Sequence, residues 1–315
     1  MNPTAIQPKP SRFTKGFAIC LVGVVLWSTT AIFIRYLTVN TGIPALVLAF
    51  WRDLFTAVLL ALVFILARPR LLTLGRQHLG FEILYGLTLA LFNSLWTVSV
   101  VLNGAAVSTV LAYSSAAFTA LLGWWLFQES LGMRKVIAVV LSLTGCVFVS
   151  GAYDPGVWQL NPLGVVTGLL SGVGFAGYGL MGKVSARREI NPWTTLMYTF
   201  GFAALFLLGF NLLGSGLPGG MASTDFFYLG SSLPDWLVLL CLVIPTIGGY
   251  GLYTVSLVYL PVSVANLIAT LEPALTAIWA YLLLGERLTS PQIVGSLLII
   301  TGVLLLRVNS DEIVG

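Results

Sequence analysis

Three ionisable side chains, Arg52, Asp53 and Glu272, stand inside long apolar runs of the chain. A charge at the centre of a membrane span costs roughly 2.5–3.5 kcal/mol on insertion scales, so such residues are functional candidates by default. Glu272 falls midway along its run. It suits a coupling or substrate-amine site whose proton exchanges during turnover, or else a fixed polar clamp satisfied by Arg52 or by backbone groups near Pro273. Arg52 and Asp53 are coupling or structural charges. As helix neighbours they point about 100° apart, so they need not serve one purpose. Two prolines, Pro245 and Pro273, also lie within apolar runs. Proline removes one helical hydrogen bond, so Pro273 frees the carbonyl of Ala269. A freed carbonyl at mid-membrane can hold an ammonium group or let the helix bend, and a kink that serves packing alone fits equally well.

No other chemistry can be assembled from this inventory. The one histidine, His78, lies in a basic loop, and Cys20, Cys146 and Cys241 sit in apolar runs without zinc-type spacing. No metal, no cofactor and no catalytic residue is expected, and no HExxH, GxSxG, Walker or Rossmann pattern is present. The chain reads as a non-enzyme, and without an ATP-binding loop any transport must run down a gradient or be coupled to one.

The elements that position these residues follow from composition. Of 315 residues 58% are hydrophobic and 8% charged, and the mean hydropathy is +0.98. A soluble domain carries about 25% charged residues, so most of this surface must face lipid. That excludes a soluble enzyme, a nucleic-acid binder and a secreted disulfide scaffold. A span needs about 20 apolar residues, and ten such runs occur, near 17–36, 44–67, 79–102, 104–127, 134–151, 163–183, 192–213, 235–259, 262–284 and 290–307. With the N-terminus cytoplasmic, twelve of the fifteen Lys and Arg residues fall on the cytoplasmic side, leaving Arg35, Arg52 and Arg287. The positive-inside bias therefore places both termini in the cytoplasm. Short loops of a bacterial type point to the cell (inner) membrane.

The sequence also repeats. Leu95-Trp96-Thr97-Val98-Ser99 matches Leu252-Tyr253-Thr254-Val255-Ser256 at an offset of 157, which continues through Glu129-x-Leu131 and Glu286-x-Leu288. Earlier spans align at 148, pairing Gly16 with Gly164 and Pro44 with Pro192. Five spans per half is an odd number, so the second copy enters the membrane inverted, as in secondary transporters. The expected fold is an all-α membrane protein of ten transmembrane helices in two inverted five-helix repeats. Residues 1–16 form a cytoplasmic tail, 17–151 and 163–307 the two repeats, and 308–315 a second tail.

Residues that are polar or aromatic in both copies propose a cavity lining between the halves. They pair Trp27 with Phe175, Thr30 with Tyr178, Asn93 with Tyr250, Trp96 with Tyr253, Ser115 with Glu272 and Thr119 with Thr276. Within each span they lie three or four apart, on one stripe. Ordinary core packing is the alternative. Gly168, Gly172, Gly174, Gly177, Gly179 and Gly182 thin the sixth span, with Gly168 and Gly172 forming a GxxxG suited to close packing.

The stretch Ser108 to Leu131, and Ala265 to Leu288 with Leu271-Glu272-Pro273-Ala274 and Gly285-Glu286-Arg287-Leu288, resemble the EamA-type members of the drug/metabolite transporter superfamily. Leu26-Trp27 and Trp51-Arg52 are similar to its pattern, and the likeness covers about 17 to 307. Ser115-Ala116 stands where the second copy has Glu272-Pro273, so the first copy departs from the pattern there. The resemblance implies an exporter of amino acids, other small metabolites or drugs. Together with the aromatic lining it points to apolar or aromatic amino acids. The rivals are a proton-coupled exporter of lipophilic cations and a non-transporting membrane scaffold. Expected partners are a small-molecule substrate, the bilayer and protons as a candidate coupling ion, with no nucleic acid.

Overall fold

Prolines and asparagines set where the helices begin. Pro162 and Pro192 open α7 (Pro162–Arg187) and α8 (Pro192–Leu213), where a missing N–H costs nothing. The preceding Asn161 and Asn191 side chains accept the N–H groups of Leu163 and Trp193, both at 3.0 Å. In a computed structural model, residues 12–158, 161–214, 220–230, 232–284 and 288–307 are described. Lys9, Gly285, Glu286, Arg287 and the expected C-terminal tail lie outside them.

The remaining helices are α1 (Arg12–Ser28), α2 (Thr30–Thr41), α3 (Ala45–Ala67), α4 (Arg76–Tyr113), α5 (Ser115–Phe127), α6 (Met133–Ser150), α9 (Leu233–Ser256), α10 (Val262–Ala269), α11 (Glu272–Leu284) and α12 (Ser290–Arg307). No strand occurs among the described residues. Nine helical stretches there are long and apolar enough to cross a membrane, and Ser290–Leu305 is apolar but shorter. Helix α1 is described from Arg12 onward, so it includes the last residues of the expected tail.

Helix α4 carries the third and fourth spans without a non-helical loop, which a boundary near 103 did not anticipate. It nevertheless folds back. The Ser99 and Ser108 hydroxyls lie 2.8 Å apart, whereas residues nine apart in a straight helix are separated by about 13.5 Å. Both segments then pack on α7, where Ser99 donates to the Gly164 carbonyl at 2.8 Å.

Among the described residues, three of the expected spans are interrupted. The first breaks at Thr29 between α1 and α2, the fourth at Ser114 between α4 and α5, and the ninth at Thr270 and Leu271 between α10 and α11. The last two positions are equivalent at the offset of 157, so Ser115 and Glu272 each open the second piece of a broken helix. Helix α9 runs through Pro245 without a break.

Helix contacts repeat when the halves are exchanged. Helix α1 packs on α9 as α7 packs on α4, while α3 meets α8, α6 meets α12 and α5 meets α10. A Cβ on Gly145 would lie 2.6 Å from the Gly295 carbonyl, and one on Gly302 would lie 2.9 Å from that of Ala138. Shifting the first pair by 157 yields the second. The glycines of α7 serve the same closeness: a Cβ on Gly172 would meet the Ser114 hydroxyl at 2.5 Å and the Leu111 carbonyl at 2.9 Å.

Candidate substrate-binding site

Helices α1, α7 and α9 bring five rings together at the centre of the bundle. The Trp27 ring lies 4.2 Å from that of Tyr250, 5.6 Å from Phe175 and 6.2 Å from Tyr253. Tyr178 closes the group at 5.5 Å from Tyr250 and 6.3 Å from Tyr253. All five are buried, so the rings fill the space in which the sequence pattern expects a cavity. Two hollows lie away from the rings, one of about 400 Å³ between Trp124 and Leu131 and one of about 220 Å³ beside Arg70 and His78. Any solute reaching the rings requires the helices to part.

The polar residues of the expected lining gather at the helix breaks. Thr30 is buried, and its hydroxyl donates to the Trp27 carbonyl at 2.7 Å. At the first break Ile32 donates to Thr29, which leaves the Ser28 carbonyl without its helical partner. The Thr276 hydroxyl donates to that carbonyl at 3.1 Å, and the Trp279 indole donates to the Ser28 hydroxyl at 2.9 Å. Ser115 donates to Asn266 across the two broken helices at 3.2 Å, and Thr119 donates to the Ser115 carbonyl at 2.8 Å. Glu272 accepts the Tyr113 hydroxyl at 2.5 Å, again from one half to the other. The partner of Glu272 is thus Tyr113 and not Arg52.

Arg52 instead turns back on its neighbour, its guanidinium 2.9 Å from an Asp53 carboxylate oxygen. The two leave the helix in different directions, but the long arginine arm spans the difference. Asp53 is fully buried, and the field of the pair reaches Tyr250.

Two expected members stand apart. Asn93 is buried and Trp96 half-buried on α4, and neither joins these ring contacts. Phe92 takes the place expected for Asn93, stacking on Phe175 at 5.1 Å. The sequence reading also missed Tyr85, Tyr113, Phe200 and Glu82. Tyr85 lies 4.9 Å from Tyr178, and Phe200 lies 5.1 Å from Tyr250. Glu82, Tyr85, Leu89 and Phe92 recur at i, i+3, i+7 and i+10, a helical stripe that was visible in the sequence.

Beyond the rings, the halves are tied where α9 turns into α10. Glu129 at the end of α5 accepts the Val262 N–H at 2.7 Å and the Ser263 hydroxyl, capping α10, and lies 3.6 Å from the Lys135 ammonium. Lys183 donates to the Leu257 and Leu260 carbonyls at 2.8 and 2.7 Å. These two lysines, counted among the cytoplasmic charges, are turned into the bundle.

Comparison with known proteins agrees with this architecture. The profile of the EamA-like transporter family matches residues 14–151 and again 162–308. An uncharacterized transporter of Archaeoglobus fulgidus is 27% identical over 294 residues, covering 92% of this chain and 95% of the relative. A protein of Salmonella typhimurium named as a probable amino-acid metabolite efflux pump is 27% identical, with 91% and 92% covered. A solved crystal structure superposes with a TM-score of 0.77 at 18% identity, covering 95% of this chain and 98% of the other, which shows a shared fold. With two profile matches that together span most of its length, the chain belongs to the EamA-like transporter family of the drug/metabolite transporter superfamily.

Proposed function

We propose that the chain exports small metabolites, amino acids with apolar or aromatic side chains foremost, by alternating access at the aromatic cluster between its two halves. The observation that carries this reading is the ring cluster itself. Trp27 comes from the first half and Phe175, Tyr178, Tyr250 and Tyr253 from the second, and they meet beside three broken helices. Rings that part to admit a solute would offer it stacking faces, with the Ser28 carbonyl and Glu272 nearby for an ammonium group. Contacts such as Gly145 on Gly295 and Gly302 on Ala138 support two inverted units that exchange conformations. The name of the Salmonella relative supports the substrate class, the Lys and Arg distribution supports cytoplasmic termini, and the short loops of a bacterial type support an inner-membrane location.

Counterflow in proteoliposomes tests the reading. Vesicles preloaded with phenylalanine are expected to take up trace labelled phenylalanine from outside. Trp27→Leu removes one stacking face offered to the solute, worth about 0.5–1.5 kcal/mol, so uptake should fall by roughly twofold to tenfold. Trp125→Leu, on an exposed face, should leave it within about twofold. Exchange only of a lipophilic cation, lost in Glu272→Gln, would assign the site to drug efflux. No exchange of any solute would leave a scaffold.

A further inference from the structure

The carboxylates inside the bundle differ in what compensates them. Asp53 is paired with Arg52, Glu129 caps α10 beside Lys135, and Glu272 sits at the start of α11, where the helix dipole favours an anion. Glu82 has none of these. It is fully buried on the second turn of α4, and one carboxylate oxygen accepts the neutral Thr199 hydroxyl of α8 at 3.0 Å. The other oxygen is buried with no hydrogen-bond partner among the described residues. One helical turn on, the Tyr85 hydroxyl is also buried without a partner, and the Tyr85 ring packs on Tyr178 of the aromatic cluster.

The groups that face Glu82 can be followed element by element. Helix α8 presents Thr195 and Thr199, and its own helix presents Tyr85. From the α7 side, Tyr178 stands beyond Tyr85, and the cation whose field reaches the carboxylate is Arg188. The Arg188 guanidinium itself lies over the Phe81 ring, 4.5 Å from its centre. An ionised Glu82 would thus hold a bare, buried oxygen with no cation in contact, which is costly, whereas a protonated one is neutral.

We infer that Glu82 is the site at which this carrier binds and releases a coupling proton. The inference rests on the transport reading above and adds its driving ion. The carboxylate takes one proton from water on one side and becomes a carboxylic acid. It crosses the closed state neutral in the carrier without solute, and returns the proton to water when the helices part toward the other side. The solute-loaded carrier makes the opposite crossing with the carboxylate ionised, its helices held apart by the solute so that water still reaches it. Because Tyr85 carries the same stripe into the ring cluster, the parting that admits solute also wets Glu82. A glutamine there is fixed in the proton-bound form, so it should abolish the response to a proton gradient and slow exchange of solute for solute, which the ionised form carries.

Two measurements decide it. In proteoliposomes with a lumen one pH unit more acidic than outside, the wild type should accumulate labelled phenylalanine several-fold, up to about tenfold for one-to-one exchange. Glu82→Gln should lose that accumulation, while an unfolding midpoint in detergent close to that of the wild type shows that it folds. Gradient-driven accumulation by Glu82→Gln, or counterflow without any gradient response in the wild type, overturns the inference. The second readout needs no substrate. Dicyclohexylcarbodiimide adds to protonated carboxyl groups in apolar surroundings, so peptide mass spectrometry should find Glu82 modified, more at pH 6 than at pH 8, and Asp53 spared. Absent or pH-independent modification of Glu82 overturns the inference whatever the substrate is, whereas failure of phenylalanine counterflow in the wild type counts against the substrate reading alone.

Discussion

Replacing Asp53 by alanine is expected to destabilise the folded protein by about 3–5 kcal/mol, the usual cost of stranding one member of a buried ion pair. The side chain it leaves behind, Arg52, is 12% exposed and Asp53 is fully buried, so water cannot take over the pairing. A guanidinium at this depth would have to find another acceptor or drag water into the bundle. Thermal unfolding in detergent should show a midpoint lower by about 10 °C. The double replacement Arg52→Leu with Asp53→Leu removes both charges and should restore most of the loss, because apolar residues of similar volume replace buried pairs at little or no cost. Counterflow of that double variant then separates two roles. Recovered stability with recovered transport makes the pair a strut of α3. Recovered stability without transport makes it part of the solute path beside Tyr250. A single variant as stable as the wild type would mean that the pair is wet.

Much of this arrangement was legible in the sequence. The offset of 157 placed Ser115 and Glu272 at equivalent positions, and both open the second piece of a broken helix. The offset of 148 paired Trp27 with Phe175, whose rings meet at 5.6 Å. What escaped was governed by tertiary contact. Proline was the only breaker that the sequence offered, yet α9 passes through Pro245 while the fourth span breaks at Ser114, which has no proline near it. There the hydroxyl donates to the Leu111 carbonyl at 2.5 Å, offering the backbone an alternative to the helix, and the bare face of Gly172 leaves room for it. Glu82 was passed over because it lies only a few residues into its expected span, where a charge can reach water. Packing of α8 over α4 buries it regardless. Arg52 and Asp53 were separated by helix geometry that fixes where a Cβ points but not where a long arginine ends.

The crossing of α6 and α12 should be the part of the molecule least tolerant of added volume. Helical propensity alone favours Gly145→Ala by about 1 kcal/mol. Sterics oppose it: the new Cβ would lie 2.6 Å from the Gly295 carbonyl oxygen and 3.0 Å from the Ile299 nitrogen. These are backbone atoms with no rotamer to yield, and Gly295→Ala meets the Gly145 carbonyl at the same 2.6 Å. Either replacement must push the two helices apart, and a net loss of about 2–3 kcal/mol is expected, near the top of the usual overpacking range. Gly209→Ala in α8 supplies the control, since nothing lies within 4 Å of its Cβ. With propensity unopposed it should stabilise by up to about 1 kcal/mol. Opposite signs for one chemical change at two helical glycines, read as unfolding midpoints and as the monodisperse fraction in detergent, would show that close approach of backbones sets this interface. Equal signs would mean that α6 and α12 stand further apart than 2.6 Å implies. The contact would then no longer help to hold the two halves as exchangeable copies, since its partner, Gly302 against Ala138, is the same crossing seen from the other half.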